Sequence, residues 1–252
     1  MANNCRACGW WPLTATGPAW CWRKRGVRTS EHEGELTVAP AVLAALPLAG
    51  RVVSGDALYC QRSVCQYIVD HDGDYLLTLK ENQPELFEEV ALLFDQPPPG
   101  EVFAMAEHYD KGHGRVEARR LWASAALADY LDWPGVRQVC KVERVVHRNG
   151  GTTREVRYAI TSLGETTRAG RLLACVRGHW SIENRLHYVR DETFGEDRSQ
   201  IRSGAAPEVM AALRNLVIGL LRQSGQTNIA AALRQQAWQP GAALKLLGIS
   251  PP

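Results

Sequence analysis

The sequence predicts an α/β protein whose parallel core is interrupted by a β-rich insertion. Three observations carry that expectation. Apolar, strand-like runs at 51–55 and 75–79 alternate with segments of helical spacing. A proline-rich break, Gln96 to Gly100, ends the alternation. Strand-like segments then run to about residue 163 before helical spacing returns. With 45% hydrophobic and 22% charged residues among 252, the composition is that of a globular chain, not a disordered, fibrous or disulfide-scaffold one.

Residues 1–26 stand apart. Trp10, Trp11, Trp20 and Trp22 are half of the eight tryptophans, mixed with Cys5, Cys8, Cys21 and the basic run Arg23, Lys24, Arg25, and no period emerges. The segment reads as atypical, frame-shifted or disordered. From Leu36 to Leu48 a short helix is expected, opened by Pro40, followed by a buried strand from Arg51 to Gly55. Asp56 ends that strand. Cys60 to His71 carries Val64, Ile68 and Val69 at helical spacing and stops at the turn Asp72, Gly73, Asp74. Tyr75 to Leu79 is the second strand, and Pro84 opens a helix through Phe94.

Beyond the break, Val102–Ala106, Val116–Trp122, Val136–His147 and Thr153–Ser162 read as strands separated by turns such as Asn149, Gly150, Gly151. From Thr166 to about Asp191 the spacing is helical. Ala205 to Arg222, apolar at Val209, Leu213, Leu216 and Leu220, is expected to pack on the core through that stripe. The divisions are thus 1–26, a first core part 27–95, an insertion 96–165 and C-terminal helices 166–252.

The net charge of +2 hides an asymmetry: residues 1–140 carry 13 basic and 18 acidic groups, and residues 141–252 carry 16 and 9. A basic C-terminal half is compatible with a polyanionic partner such as nucleic acid, and equally with ordinary helix-surface arginine. Seven cysteines at irregular spacing fit reduced, mostly buried thiols; Cys5 and Cys8 with Cys21 and His32 lack the second tight pair of a zinc site. No apolar run approaches the ~18 residues of a membrane span, and the N-terminus lacks a signal peptide's apolar stretch. A cytoplasmic location is the expectation.

Two acids carry the candidate chemistry. Asp56 sits at a strand C-terminus, where ligands of open α/β sheets collect. Glu183 lies on the helix after the insertion, with His179, His187 and Arg190 four before, four after and seven after it, on one face. Metal-assisted phosphoryl transfer needs carboxylates to hold Mg²⁺ or Mn²⁺ and cations to bind flanking phosphates. A zinc site of His179, Glu183 and His187 is the weaker alternative, because two histidines eight residues apart on a helix are ~12 Å apart along its axis.

The stretches VVSGDALYCQ at 52–61, GDYLLTLKENQPEL at 73–86, DKGHGRVEARR at 110–120 and HWSIENRLHYVRDETFGEDRSQIRSG at 179–204 resemble, in order, the landmarks of the H-repeat-associated proteins, a branch of the insertion-sequence DDE transposases. The likeness spans roughly residues 27–249. It implies an RNase H-like fold with a β-rich insertion before the helix bearing the last acid, Mg²⁺-dependent cleavage and joining of DNA, DNA (element ends and target) as partner, and a homodimer in the transposition complex. By position, Asp56 resembles the second acid of the metal-binding trio and Glu183 the third. Asn184 and Arg190 resemble positions beside the scissile phosphates, and Arg185 and Lys80 are further phosphate-contact candidates. His179 stands where related transposases often carry Arg.

The first acid is expected upstream of Asp56, on the fold's opening strand. Yet residues 1–55 contain no aspartate, and Glu31, Glu33 and Glu35 match the stretch leading into the helix before Asp56. The sequence therefore reads as a transposase lacking its opening strands, inactive alone. The alternatives are a DNA-binding remnant and a stand-alone metal nuclease.

Overall fold

The computed structural model describes residues 35–112, 114–148, 150–182 and 188–249; the atypical segment 1–26 lies outside them. The architecture is mixed α/β, built on one six-stranded sheet. Its strands are β1 (Val52–Gly55), β2 (Asp74–Leu79), β3 (Ala104–Gly112), β4 (Arg115–Ser124), β5 (Gln138–Arg148) and β6 (Gly151–Thr161). Their spatial order is β1-β2-β6-β5-β4-β3. Strands β1 and β2 pair in parallel, with Gly55 opposite Leu77, and every other pairing is antiparallel. The strands expected between 101 and 163 therefore continue the β1–β2 sheet, joined through β6 against β2.

The seam at β2 and β6 is fastened by side chains as well as by the ladder. Ser162 Oγ donates to Asp74 Oδ1 at 2.8 Å and accepts from the Tyr75 amide at 2.9 Å, while Thr161 Oγ1 donates to the Tyr75 carbonyl at 2.6 Å. Tyr75, fully buried, donates its hydroxyl to the Pro134 carbonyl at 2.8 Å. Such bonds satisfy groups that burial cuts off from water.

Helices cover both faces. On one lie α1 (Glu35–Leu43), α2 (Arg62–Asp70) and α3 (Pro84–Asp95), whose Leu43, Ile68 and Val90 pack with Val53, Leu77 and Ile160 of the sheet. On the other, α4 (Ala169–Ile182) sets Leu172, Leu173 and Val176 against Val52, Leu121 and Val142. Alternation of side chains along each strand divides the two faces. Strand β1 is buried at all four positions because α4 and the α1–α3 layer cover its two sides.

Two expectations about helices are corrected. Pro40 lies inside α1, not at its start, and the Ala44 amide still bonds the Pro40 carbonyl at 2.9 Å. Proline removes its own donor but keeps its acceptor, so the turn after it survives. Helix α5 (Ala206–Gln223) forms where expected, but Val209, Leu213 and Leu216 are about half exposed. Its packing face is instead Ile218 and Leu221, against Ile229 and Ala232 of α6 (Ile229–Trp238), with α7 (Pro240–Leu246) adding Leu246. Among the described residues no helix is long and apolar enough to cross a membrane.

Candidate functional site

Asp56 follows the last residue of β1, and its side chain is exposed. Its Oδ1 accepts from the Leu58 amide at 3.1 Å, capping the short 3₁₀ turn Ala57–Tyr59. A cap of this kind fixes the side chain's direction. Gly55 lets the turn sit close: a Cβ there would stand 2.9 Å from Leu77 Cδ2 and 3.2 Å from Tyr59 Cβ. Parallel pairing puts the C-terminal ends of β1 and β2 side by side, so exposed Lys80, just past β2, lies at the same sheet end as Asp56.

Two side chains tie the loops after these strands together. Asn82 Nδ2 donates to the Ala57 carbonyl at 2.7 Å, and Gln83 Nε2 to the Cys60 carbonyl at 3.0 Å. Both residues directly precede the helix-opening Pro84, and no sequence-based expectation singled them out.

Helix α4 brings the third element. Near its end, half-buried His179 lies with Nδ1 3.5 Å from Oγ of Ser54, a buried residue two positions before Asp56. The last turn of α4 thus meets the strand end that carries Asp56. Glu183, Asn184 and Arg185 follow within a few residues, with His187 beyond them; all four lie outside the described residues.

Arg190 has a different setting. It is 3% exposed, in the π-helical turn Val189–Thr193, and pairs with Glu196 through both its Nε, at 2.6 Å, and its Nη2. Arg214 of α5 lies 3.7 Å from the same carboxylate. Arg190 therefore spends its fork on an internal carboxylate that links this turn to α5.

For a metal, the described part offers hard oxygen at Asp56, the donor type that Mg²⁺ and Mn²⁺ take, on an exposed and oriented side chain. Among the described residues no three His, Cys, Asp or Glu side chains cluster as a complete metal site. Cys60, Cys65, Cys140 and Cys175 are buried and free of disulfides, as expected of reduced thiols. Burial pushes Cys65 up to about 11 and Cys140 up to about 12, which removes them as nucleophiles or ligands near neutral pH.

Comparison with known proteins agrees with the resemblance. A family profile described as "Transposase DDE domain" matches residues 26–220. "H repeat-associated putative transposase YhhI" of Escherichia coli is 31% identical over 208 residues, 77% of this chain and 53% of that protein. "Putative protein YbfL", also of Escherichia coli, is 31% identical over the same shares. The chain spans about half the length of these curated relatives. Among solved structures, a sugar N-methyltransferase, KedS8 from Streptoalloteichus, aligns with a TM-score of 0.21 at 12% identity over 50% of this chain and 48% of that one, too low to bear on the fold.

Proposed function

Because the chain belongs to the transposase DDE domain family, we propose that it handles DNA as an insertion-sequence transposase, with an RNase H-like core in which Asp56 and Glu183 are the metal-holding acids. The observation that carries this reading is the meeting of α4 with the end of β1. His179 touches Ser54, so the helix that leads to Glu183 arrives beside the strand that delivers Asp56.

When bound, Mg²⁺ or Mn²⁺ at these carboxylates supplies charge stabilisation for phosphodiester cleavage and strand transfer. The chain's own residues do the positioning. Asp56 is aimed by its bond from the Leu58 amide, and the Asn82 and Gln83 bridges keep that turn against the β2 loop. Lys80 supplies a cation at the same sheet end for a phosphate, and Asn184 and Arg185 are further candidates for that role. The family resemblance also gives Arg190 a phosphate contact; its bond to Glu196 favours a structural part instead.

A trio of acids needs a third carboxylate, and no aspartate precedes Asp56 in this sequence. That favours, for this chain by itself, DNA binding without cleavage. The test is binding to a duplex carrying the element ends, followed by incubation with Mg²⁺ or Mn²⁺. Salt-sensitive binding without strand cutting is expected. Cutting of element-end DNA by the chain alone overturns the two-acid assignment, cutting of arbitrary duplex points to a nuclease, and absence of binding at low salt overturns the DNA reading.

A further inference from the structure

Away from the β1 end, the α4-covered face of the sheet changes character. Next to α4 it is apolar, with Leu121, Ala123 and Val142 under the helix. One row further out, cross-strand register brings together Arg119 and Arg144, directly opposite each other on β4 and β5, with His108 and Glu155 on their flanks. Like charges in opposed positions destabilise a sheet unless something neutralises them. Here the neutraliser is Glu117, only 3% exposed. It accepts from Arg144 Nε at 2.7 Å and Nη2 at 3.1 Å, pairs with Arg119, and has Arg115 at 3.8 Å.

One buried carboxylate thus holds three guanidinium groups, with Asp110 at 3.1 Å from Arg119 and Glu155 at 3.8 Å from Arg144 as further partners. Arg157 pairs with Glu155 on the same face, Arg148 stands opposite Arg115, and Arg177 of α4 reaches Asp110 of β3 at 3.4 Å. Among the described residues, six arginines on this face therefore meet three carboxylates, Asp110, Glu117 and Glu155, of which Glu117 is withdrawn from solvent. The opposite face of the same strands is closer to balance: Lys111, Arg120, Lys141 and Arg154 are accompanied by Glu107 and Glu143, and Asp95 of α3 pairs with Lys141.

We propose that this arginine face of β3–β6 is a binding surface for the phosphate backbone of duplex DNA, an inference that rests on the DNA reading above and adds a surface to it. A polyanion supplies the missing negative charge. Guanidinium groups already fixed by Glu117, Glu155 and Asp110 lose little conformational freedom on meeting phosphates. Arg177 lies two residues before His179 on α4, so the same helix that reaches the β1 end borders the arginine face. A duplex laid on that face runs beside the helix leading to the proposed acids.

The experiment uses the full chain, with Arg115, Arg148 and Arg157 replaced together by Gln and, separately, by Lys. Affinity for a random-sequence duplex is measured by fluorescence anisotropy between about 50 and about 200 mM KCl. If all three arginines meet phosphates, the Gln triple lowers the slope of log affinity against log salt by about 2.7, so the unaltered chain loses about 40-fold more affinity across that range. The Lys triple keeps the slope. If circular dichroism shows the Gln triple unfolded, Arg148→Gln alone, at an exposed hairpin position, is expected to lower the slope by about 0.9. An unchanged slope in a folded Gln variant, or a Lys triple as weak as the Gln triple, overturns the proposal while leaving the DNA reading in place. A chain that fails to bind any duplex overturns both.

Discussion

Replacing Glu117 by Gln keeps the shape of the side chain and removes the charge that holds Arg144, Arg119 and Arg115 together. Removing one partner of a buried ion pair costs about 3–5 kcal/mol, because the other charge stays behind uncompensated. Here the partners are unequal and not left alone: the side chain of Arg119, 13% exposed, keeps Asp110 at 3.1 Å, and those of Arg144 and Arg115 are 29% and 40% exposed and can recover water. Solvent screening therefore discounts the loss to about 2–3 kcal/mol. With a urea slope of about 2.5 kcal/mol/M, the midpoint falls by about 1 M at pH 7. The hydrogen bonds from Arg144, more than the nearby charges of Arg119, Arg144 and Arg115, hold the Glu117 carboxyl below the ordinary carboxylate range, against the opposing effect of burial. A depressed folded value means that this stabilisation is complete above the unfolded value of about 4.3 and is lost as pH falls through the lower, folded one. The Gln variant should therefore lose part of the parent's acid sensitivity below about pH 4. A midpoint within about 0.2 M of the parent at pH 7, or an unchanged acid limb, refutes the anchoring role of Glu117.

Asp56→Asn keeps an oxygen acceptor for the Leu58 amide, so stability should change by less than about 0.5 kcal/mol while Mn²⁺ binding, followed by water-proton relaxation, is lost; unchanged Mn²⁺ binding removes Asp56 as a ligand. Gly55→Ala places a Cβ 2.9 Å from Leu77 Cδ2 and should lower stability by about 1–3 kcal/mol in thermal melts, a cost partly relieved when Leu77→Ala is added. With its thiol pushed up to about 11, Cys65 is about one part in a thousand thiolate at pH 8, and burial also shields Cys60, Cys140 and Cys175. Four of the seven cysteines should then react with a disulfide reagent only as fast as the protein opens; prompt labelling of any of these four sinks that account.

The core elements around the site were legible because local signals and tertiary burial agree there. Val52 and Val53 form a short apolar run that is buried on both sides, Val64 and Ile68 share the inward face of α2, and Pro84 opens α3. Hairpin limits were less legible, because register is set by the partner strand and not by local hydrophobicity. Val102 looked like a strand opening but is 87% exposed outside β3, whereas the polar run Glu107–Gly112 belongs to β3 because β4 pairs with it throughout. The stripe Val209, Leu213, Leu216 has ideal helical spacing, but spacing shows only that a face is apolar. Which face is buried is decided by Ile229 and Ala232 of a later helix. At the candidate site, the place of Asp56 at a strand end was legible, whereas the bridges from Asn82 to Ala57 and from His179 to Ser54 join residues 25 and 125 positions apart. No local pattern encodes such contacts.

That long-range contact gives the continuous sheet a structural logic. Had β3–β6 formed a separate body, α4 would have to find the β1 end across a hinge. Instead β6 pairs directly with β2, and α4 packs on residues of both parts, Val52 and Leu76 from the first and Leu121, Cys140 and Val142 from the second. A shift of β3–β6 relative to β1 and β2 would break the β2–β6 ladder and uncover the α4 interface together. The position of His179 over Ser54 is therefore fixed by the same burial that holds the sheet. Truncating Leu172, fully buried on α4, to Ala should cost about 2–5 kcal/mol and loosen both ends of the helix contact, visible as faster amide exchange at Ser54 and at Leu121. Faster exchange at Leu121 alone would mean that the strand carrying Asp56 is held independently of α4, and the coupling between β3–β6 and the candidate site would have to be abandoned.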